Sequence, residues 1–154
     1  MTTVREFFDN GMKCHVVLTK MGHHCGYVAV DPTHPWFGKS YDDIVPVPQA
    51  ILDRDISGEN VGYINLLCVG LQEENISRGE VSISLAIDVH GGLTFSAADR
   101  EEPLWWFGFD CAHAYDGRGP ADPGWRDADY VEAQCRRLSE QLAHIASMME
   151  DDRG

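Results

Sequence analysis

Toward the C-terminus the apolar residues Val131, Cys135, Leu138, Leu142, Ile145 and Met149 recur at spacings of four, three, four, three and four. That rhythm holds all six on one stripe of an α-helix, and Asp127 stands where a side-chain carboxylate caps the first turn. A helix with one apolar stripe is stable only when the stripe is covered. Two partners fit: a sheet of the same chain, or the same stripe on a second copy, which would make the helix a homo-oligomer seam.

The rest of the chain reads as sheet. Cys14 to Lys20 and Tyr27 to Val30 are short β-branched runs around the turn-like Met21-Gly22-His23-His24, which predicts an opening hairpin. Pro32, Pro35, Pro46 and Pro48, with Gly38, bar a regular helix or central strand from Asp31 to Pro48, so this segment is a structured loop. Gln49 to Asp55 reads as a short helical turn and Val61 to Val69 as an apolar strand. Val81 to His90 alternates without a break: Val81, Ile83, Leu85, Ile87 and Val89 on one face, Ser82, Ser84, Ala86, Asp88 and His90 on the other. Gly91-Gly92 then permits a bulge or tight bend before Leu93-Thr94-Phe95 resumes an extended run. Leu104 to Ala112 is expected to pair with that run across the polar connection Ser96 to Pro103. Asp116 to Gly124 is Gly- and Pro-rich and leads into the helix. The fold class expected is α+β, a mainly antiparallel sheet packed against a long C-terminal amphipathic helix, in a single domain over residues 1–154.

A chain of 154 residues with 44% hydrophobic content can build one core without metal or disulfide support. Its formal charge of −13 repels long nucleic acids, whose binding rests on many cationic contacts to phosphate. A small anionic ligand needs only a few donors, such as Lys39, Arg54 or a pair of backbone amides, and a DNA-mimic role also stays open. The five cysteines are odd in number and lack CxxC spacing, so they read as reduced core thiols. No long apolar run spans a bilayer and no basic leader opens the chain, so the expected location is the cytoplasm, away from membranes.

Chemistry concentrates in Leu104 to His113. As a strand it sets Trp105, Phe107, Phe109 and Cys111 on one face and Trp106, Gly108, Asp110 and Ala112 on the other. Gly108 between Trp106 and Asp110 suits a pocket floor with an aromatic wall and an anionic acceptor; equally, it suits a doubly buried strand with a bulge at the glycine. The loop His34 to Asp43 offers Trp36 or Tyr41 to stack on a base and Lys39 to meet a phosphate, or else anchors itself by its aromatics. Gly38-Lys39-Ser40 is no P-loop, because Thr33 stands at the upstream glycine and Pro32 and Pro35 interrupt. Adjacent His23 and His24 would point to opposite faces of a strand, and a two-residue spacing does not activate Cys111 through His113. Asp88, His90, Asp110 and His113 would have to converge to hold a divalent metal or act as an acid–base group.

His90-Gly91-Gly92-Leu93-Thr94-Phe95, Leu104 to His113 and Asp129 to Cys135 resemble a family of small phage and prophage proteins, as do Gly26-Tyr27-Val28 and His34 to Lys39. The resemblance covers about two-thirds of the chain and carries no established activity. In size and character the chain is also similar to phage sponges that sequester nucleotide signals of bacterial defence. The expectation is then a non-catalytic, cofactor-free binder of a small nucleotide-like ligand. Trp36, Trp105 or Trp106 would stack on the base, Asp110, His90 and His113 would read polar edges, and Lys39 with the Gly91-Gly92 amides would offset phosphate charge. Two other readings stand beside it: a metal-dependent hydrolase of a small phosphate compound, and an acidic protein that blocks a host factor.

Overall fold

A computed structural model describes residues 1–52, 73–112, 121 and 124–153. In chain order the elements are β1 (Thr2–Asp9), β2 (Met12–Leu18), β3 (His24–Val30), β4 (Ile44–Pro46), α1 (Gln49–Leu52), α2 (Glu73–Ser77), β5 (Glu80–Ser82), α3 (Ile83–Ala86), β6 (Phe95–Ala98), β7 (Trp105–Asp110) and α4 (Ala128–Arg153). Five strands form one antiparallel sheet in the order β1-β2-β3-β7-β6, and β4 pairs with β5 in a separate ribbon. The α+β expectation holds: the sheet lies under the long helix α4, which packs on β1, β2 and β3.

The sheet opens with a hairpin absent from the sequence reading. Asn10 and Gly11 both take positive φ, 52° and 75°, and join β1 to β2 in a two-residue turn. Asn-Gly is the preferred pair for such a turn because its twist matches that of the flanking strands. The expected β2–β3 hairpin follows, with Cys14 opposite Val28 and Leu18 opposite His24. β7 then pairs on one side with β3 and on the other with β6, so the predicted partner run beginning at Leu93 reaches the sheet at Phe95.

The helical stripe is covered by the chain's own sheet. Val131, Cys135, Leu138 and Leu142 are fully buried, and they share a core with Cys14, Val16, Val28, Phe107 and Phe109. Burying a Leu or Val side chain contributes about 1.5–3 kcal/mol, so this face anchors the fold. Asp127 caps the helix, its carboxylate accepting the Tyr130 amide at 2.8 Å. The stripe therefore has its partner within one chain, where a homo-oligomer seam had been the alternative.

The expected ten-residue strand Val81 to His90 requires correction. Only Glu80–Ser82 is strand; Ile83–Ala86 makes one helical turn, and residues 87–90 lie outside both sheets. Every residue from Val81 to Ile87 is buried, so the small and polar set is as enclosed as the apolar set and the alternation does not divide core from solvent. The unpaired backbone is satisfied by the helix instead. Gln141 accepts the Asp88 amide and donates to the Asp88 carbonyl, both at 2.8 Å, and Gln134 accepts the His90 amide at 3.0 Å. A carboxamide presents one donor and one acceptor side by side, so Gln141 pairs with this segment as a neighbouring strand would. Gly91 and Gly92, with φ of 67° and 82°, make the expected tight bend, closed by the Gly92 amide on the Val89 carbonyl at 2.9 Å. The predicted helical turn is present as Gln49–Leu52; the predicted strand Val61 to Val69 lies outside the described residues.

Candidate functional site

β7 alternates as its sequence requires. Phe107, Phe109 and Cys111 join the core beneath the helix, while Trp106, Gly108 and Asp110 face the other way. The space beside Gly108 is taken by Tyr27: a Cβ added there would lie 2.7 Å from the Tyr27 Cε1. Trp106 fits because its neighbours across both adjacent strands are alanines, Ala29 and Ala97. Its indole donates to Asp99 at 3.0 Å and lies 4.7 Å from the His15 ring. The expected pocket floor is thus filled by the chain's own rings, and Trp106 is buried.

The nine residues singled out from the sequence fall into separate places. Trp105 and Lys39 adjoin at the first end of β7, where the Trp105 indole donates to the Lys39 carbonyl at 2.7 Å. Trp36 is 1% exposed and belongs to the core, and His34 beside it donates from Nε2 to the Leu142 carbonyl. This loop is therefore pinned to the helix by its aromatic segment. Asp110 closes the other end of β7, five residues and about 17 Å away at the usual strand rise. His90, Gly91 and Gly92 belong with Asp110: the chain runs from them into Thr94, whose amide donates to the Gly108 carbonyl and whose hydroxyl donates to the Asp110 carboxylate. His113 lies outside the described residues.

The entry of α4 brings further groups to this second end. His90 is buried, and its Nδ1 lies 2.9 Å from the Tyr130 hydroxyl. Arg126 stacks its guanidinium over the Tyr130 ring, 4.6 Å from the centroid. The Arg126 carbonyl faces Nδ1 of buried His24 at 2.9 Å, and because a carbonyl only accepts, that nitrogen carries the proton. Trp125 packs 5.2 Å from the His24 ring and donates its indole N–H to the Gly22 carbonyl at 2.8 Å. His23 Nδ1 meets the Cys111 carbonyl at 3.0 Å, so His23 and His24 serve separate partners, as a strand with alternating faces requires. One end of the sheet therefore gathers imidazoles, a stacked guanidinium, two further rings and a glycine bend on the helix side, with the Asp110 carboxylate on the other face.

Asp88 is not among them. Its carboxylate pairs with Arg137 on the helix, and Gln141 holds its backbone. Asp110 faces away from that helix, so the sheet separates the two carboxylates. Among the described residues no three His, Cys, Asp or Glu side chains cluster to hold a metal ion.

Sequence reasoning missed His24, Trp125, Arg126 and Tyr130 as site residues. A signal was present: Trp125-Arg126-Asp127 couples a ring and a cation to an N-cap, immediately before the apolar stripe that docks the helix. Burial raises the Cys25 thiol, with nearby Asp110 acting in the same direction, and both disfavour the nucleophilic thiolate. Among the described residues no helix is long and apolar enough to cross a membrane. Comparison with protein-family models, with curated proteins and with solved structures finds no match to this chain.

Proposed function

We propose that this protein binds a small nucleotide-like molecule and holds it unchanged, at the end of the sheet that carries His90, Gly91, Gly92, Arg126 and Tyr130 on the helix side and Asp110 on the other. The observation that carries the reading is that Tyr130 joins His90 to the Arg126 guanidinium, with Asp110 held by Thr94 at the same end of β7. A nucleotide presents a flat ring, hydroxyl and amino edges, and a phosphate. Trp125 and Tyr130 supply ring faces, Asp110 supplies an acceptor, and the Arg126 guanidinium with the glycine bend supplies donors for an anion. Sequestration of a bacterial defence signal is the biological role that the likeness to small phage proteins supports; Lys39, Trp36, Trp105 and Trp106 take no part in it.

The test is incubation with a panel of cyclic and linear nucleotides, including ADP-ribose derivatives, followed by heat denaturation and mass spectrometry of what is released. One member should be depleted before heating and returned intact, with depletion lost in Arg126→Gln and Asp110→Asn and retained in Lys39→Ala. A molecule returned altered would establish turnover instead, and no depletion across the panel would remove the reading.

A further inference from the structure

A cleft of about 350 Å³ opens at the opposite end of the sheet, between the β1–β2 turn, the end of β3 and the β6–β7 connection. Its volume lies within the range of small-molecule pockets. Val30 and Leu104 contribute apolar lining, and Phe8 adds an aromatic ring at the wall. Phe8 is 69% exposed on the sheet face away from the helix, whereas Phe107 and Phe109 on the helix side are enclosed. An aromatic face left in water beside a concavity is suited to a flat or cationic partner.

The charges lining the cleft decide which. Asp31 and Glu102 are its carboxylates and Lys13 its ammonium. Lys13 lies between two acids, Glu102 at 3.6 Å and Glu6 at 3.8 Å, so this group as a whole keeps a net negative charge before any ligand arrives. Thr33 donates its hydroxyl and its amide to Asp31, which holds that carboxyl below the usual range and keeps it ionised. With the chain as a whole at −13, an anion is repelled here and a cation attracted.

We propose that this cleft is a second binding site, for a compact organic cation: a guanidinium or ammonium group on a short apolar body. The cation sits over the Phe8 face between Asp31 and Glu102, and the body lies against Val30 and Leu104. The same group occurs on a free small amine and on an arginine side chain of a partner protein, and titration separates the two sources.

Calorimetric titration of the whole protein with n-butylguanidinium, n-butanol and butyrate presents one apolar body with cationic, neutral and anionic heads. The guanidinium should bind, and butyrate should not. Phe8→Leu should weaken guanidinium binding about threefold, the factor expected for an exposed cation–π contact. Glu102→Gln should weaken it by a similar factor and reduce its salt dependence, and Glu102 is exposed enough for the change to leave folding intact. Tighter binding of acetyl-Gly-Arg-Gly-amide than of butylguanidinium would identify a protein side chain as the natural occupant; weaker binding would identify a free amine. Equal affinity for butyrate, no binding of the guanidinium, or unchanged affinity in both variants would overturn the proposal. These ligands report on this cleft alone, so the result is independent of the nucleotide panel.

Discussion

Replacing Gly26 by alanine tests how the helix and the sheet come together. Gly26 lies in β3 opposite Phe109, and the helix crosses the sheet over it. A Cβ built on Gly26 falls 2.6 Å from Phe109 Cε1 and 2.7 Å from Cys135 Sγ, well inside van der Waals separation. Neither neighbour has room to retreat, because Phe109 is 1% exposed and Cys135 is fully buried. Overpacking a closed core by one methyl costs about 1–3 kcal/mol, while the lower unfolded-state entropy of alanine returns about 0.4–1 kcal/mol. The net expectation is a loss of about 1–2 kcal/mol, or about 2–8 °C in Tm for a chain of this length. Urea unfolding followed by tryptophan fluorescence and by far-ultraviolet circular dichroism measures it. Adding Cys135→Ala should restore part of the loss, since it removes one of the two overlaps, and the double-mutant cycle isolates that share. Gly26→Ala as stable as wild type within about 0.5 kcal/mol would refute the close approach of helix and sheet described above.

Gln141→Leu removes both hydrogen bonds to the Asp88 backbone and should lower stability by about 2–3 kcal/mol in the same urea assay, because two backbone groups lose their partner. Asp127→Ala should lose about 1 kcal/mol with the N-cap, and Asp127→Asn should recover most of it. Burial lowers the His34 pKa, so the unfolded chain takes up that proton more readily than the folded one. Its contribution is therefore complete above the unfolded value of about 6.5 and is lost as pH falls from there through the lower folded value. Denaturation midpoints measured from pH 8 to pH 5 should fall with acid, more steeply in wild type than in His34→Gln. Asp99 acts in a separate window: the Glu102 amide, the Trp106 indole and the Glu101 amide draw its carboxyl down to about 2, so its contribution is kept until the pH falls below about 4.

The helix was legible because its stripe and cap follow from neighbours three and four residues apart. The faces of β7 were legible for the same reason, since the strand period is two. Val81 to His90 was misread because the sequence cannot distinguish a strand with one wet face from a segment enclosed on every side; the small residues Ser82, Ser84 and Ala86 look the same in both. The first hairpin was readable from Asn10-Gly11 and was overlooked in favour of the β-branched run that follows it. His90, the glycine pair and Asp110 were singled out by residue type, and Trp105 and Trp106 were grouped with them although the strand carries those two to its other end.

What the sequence by itself determined is local: the helix and its cap, the alternation of the β7 side chains, and the bend at Gly91-Gly92. Backbone geometry imposes each of these within a few residues, so a short window suffices. Only the tertiary structure decided that β7 also pairs with β3, that Tyr27 fills the space beside Gly108, and that Tyr130 reaches His90 with Arg126 stacked on its ring. Those outcomes join residues distant in the chain, through strand pairing and the docking of one helix. They depend on which long-range packing buries the most apolar surface while leaving the backbone hydrogen-bonded, and no local period encodes that choice.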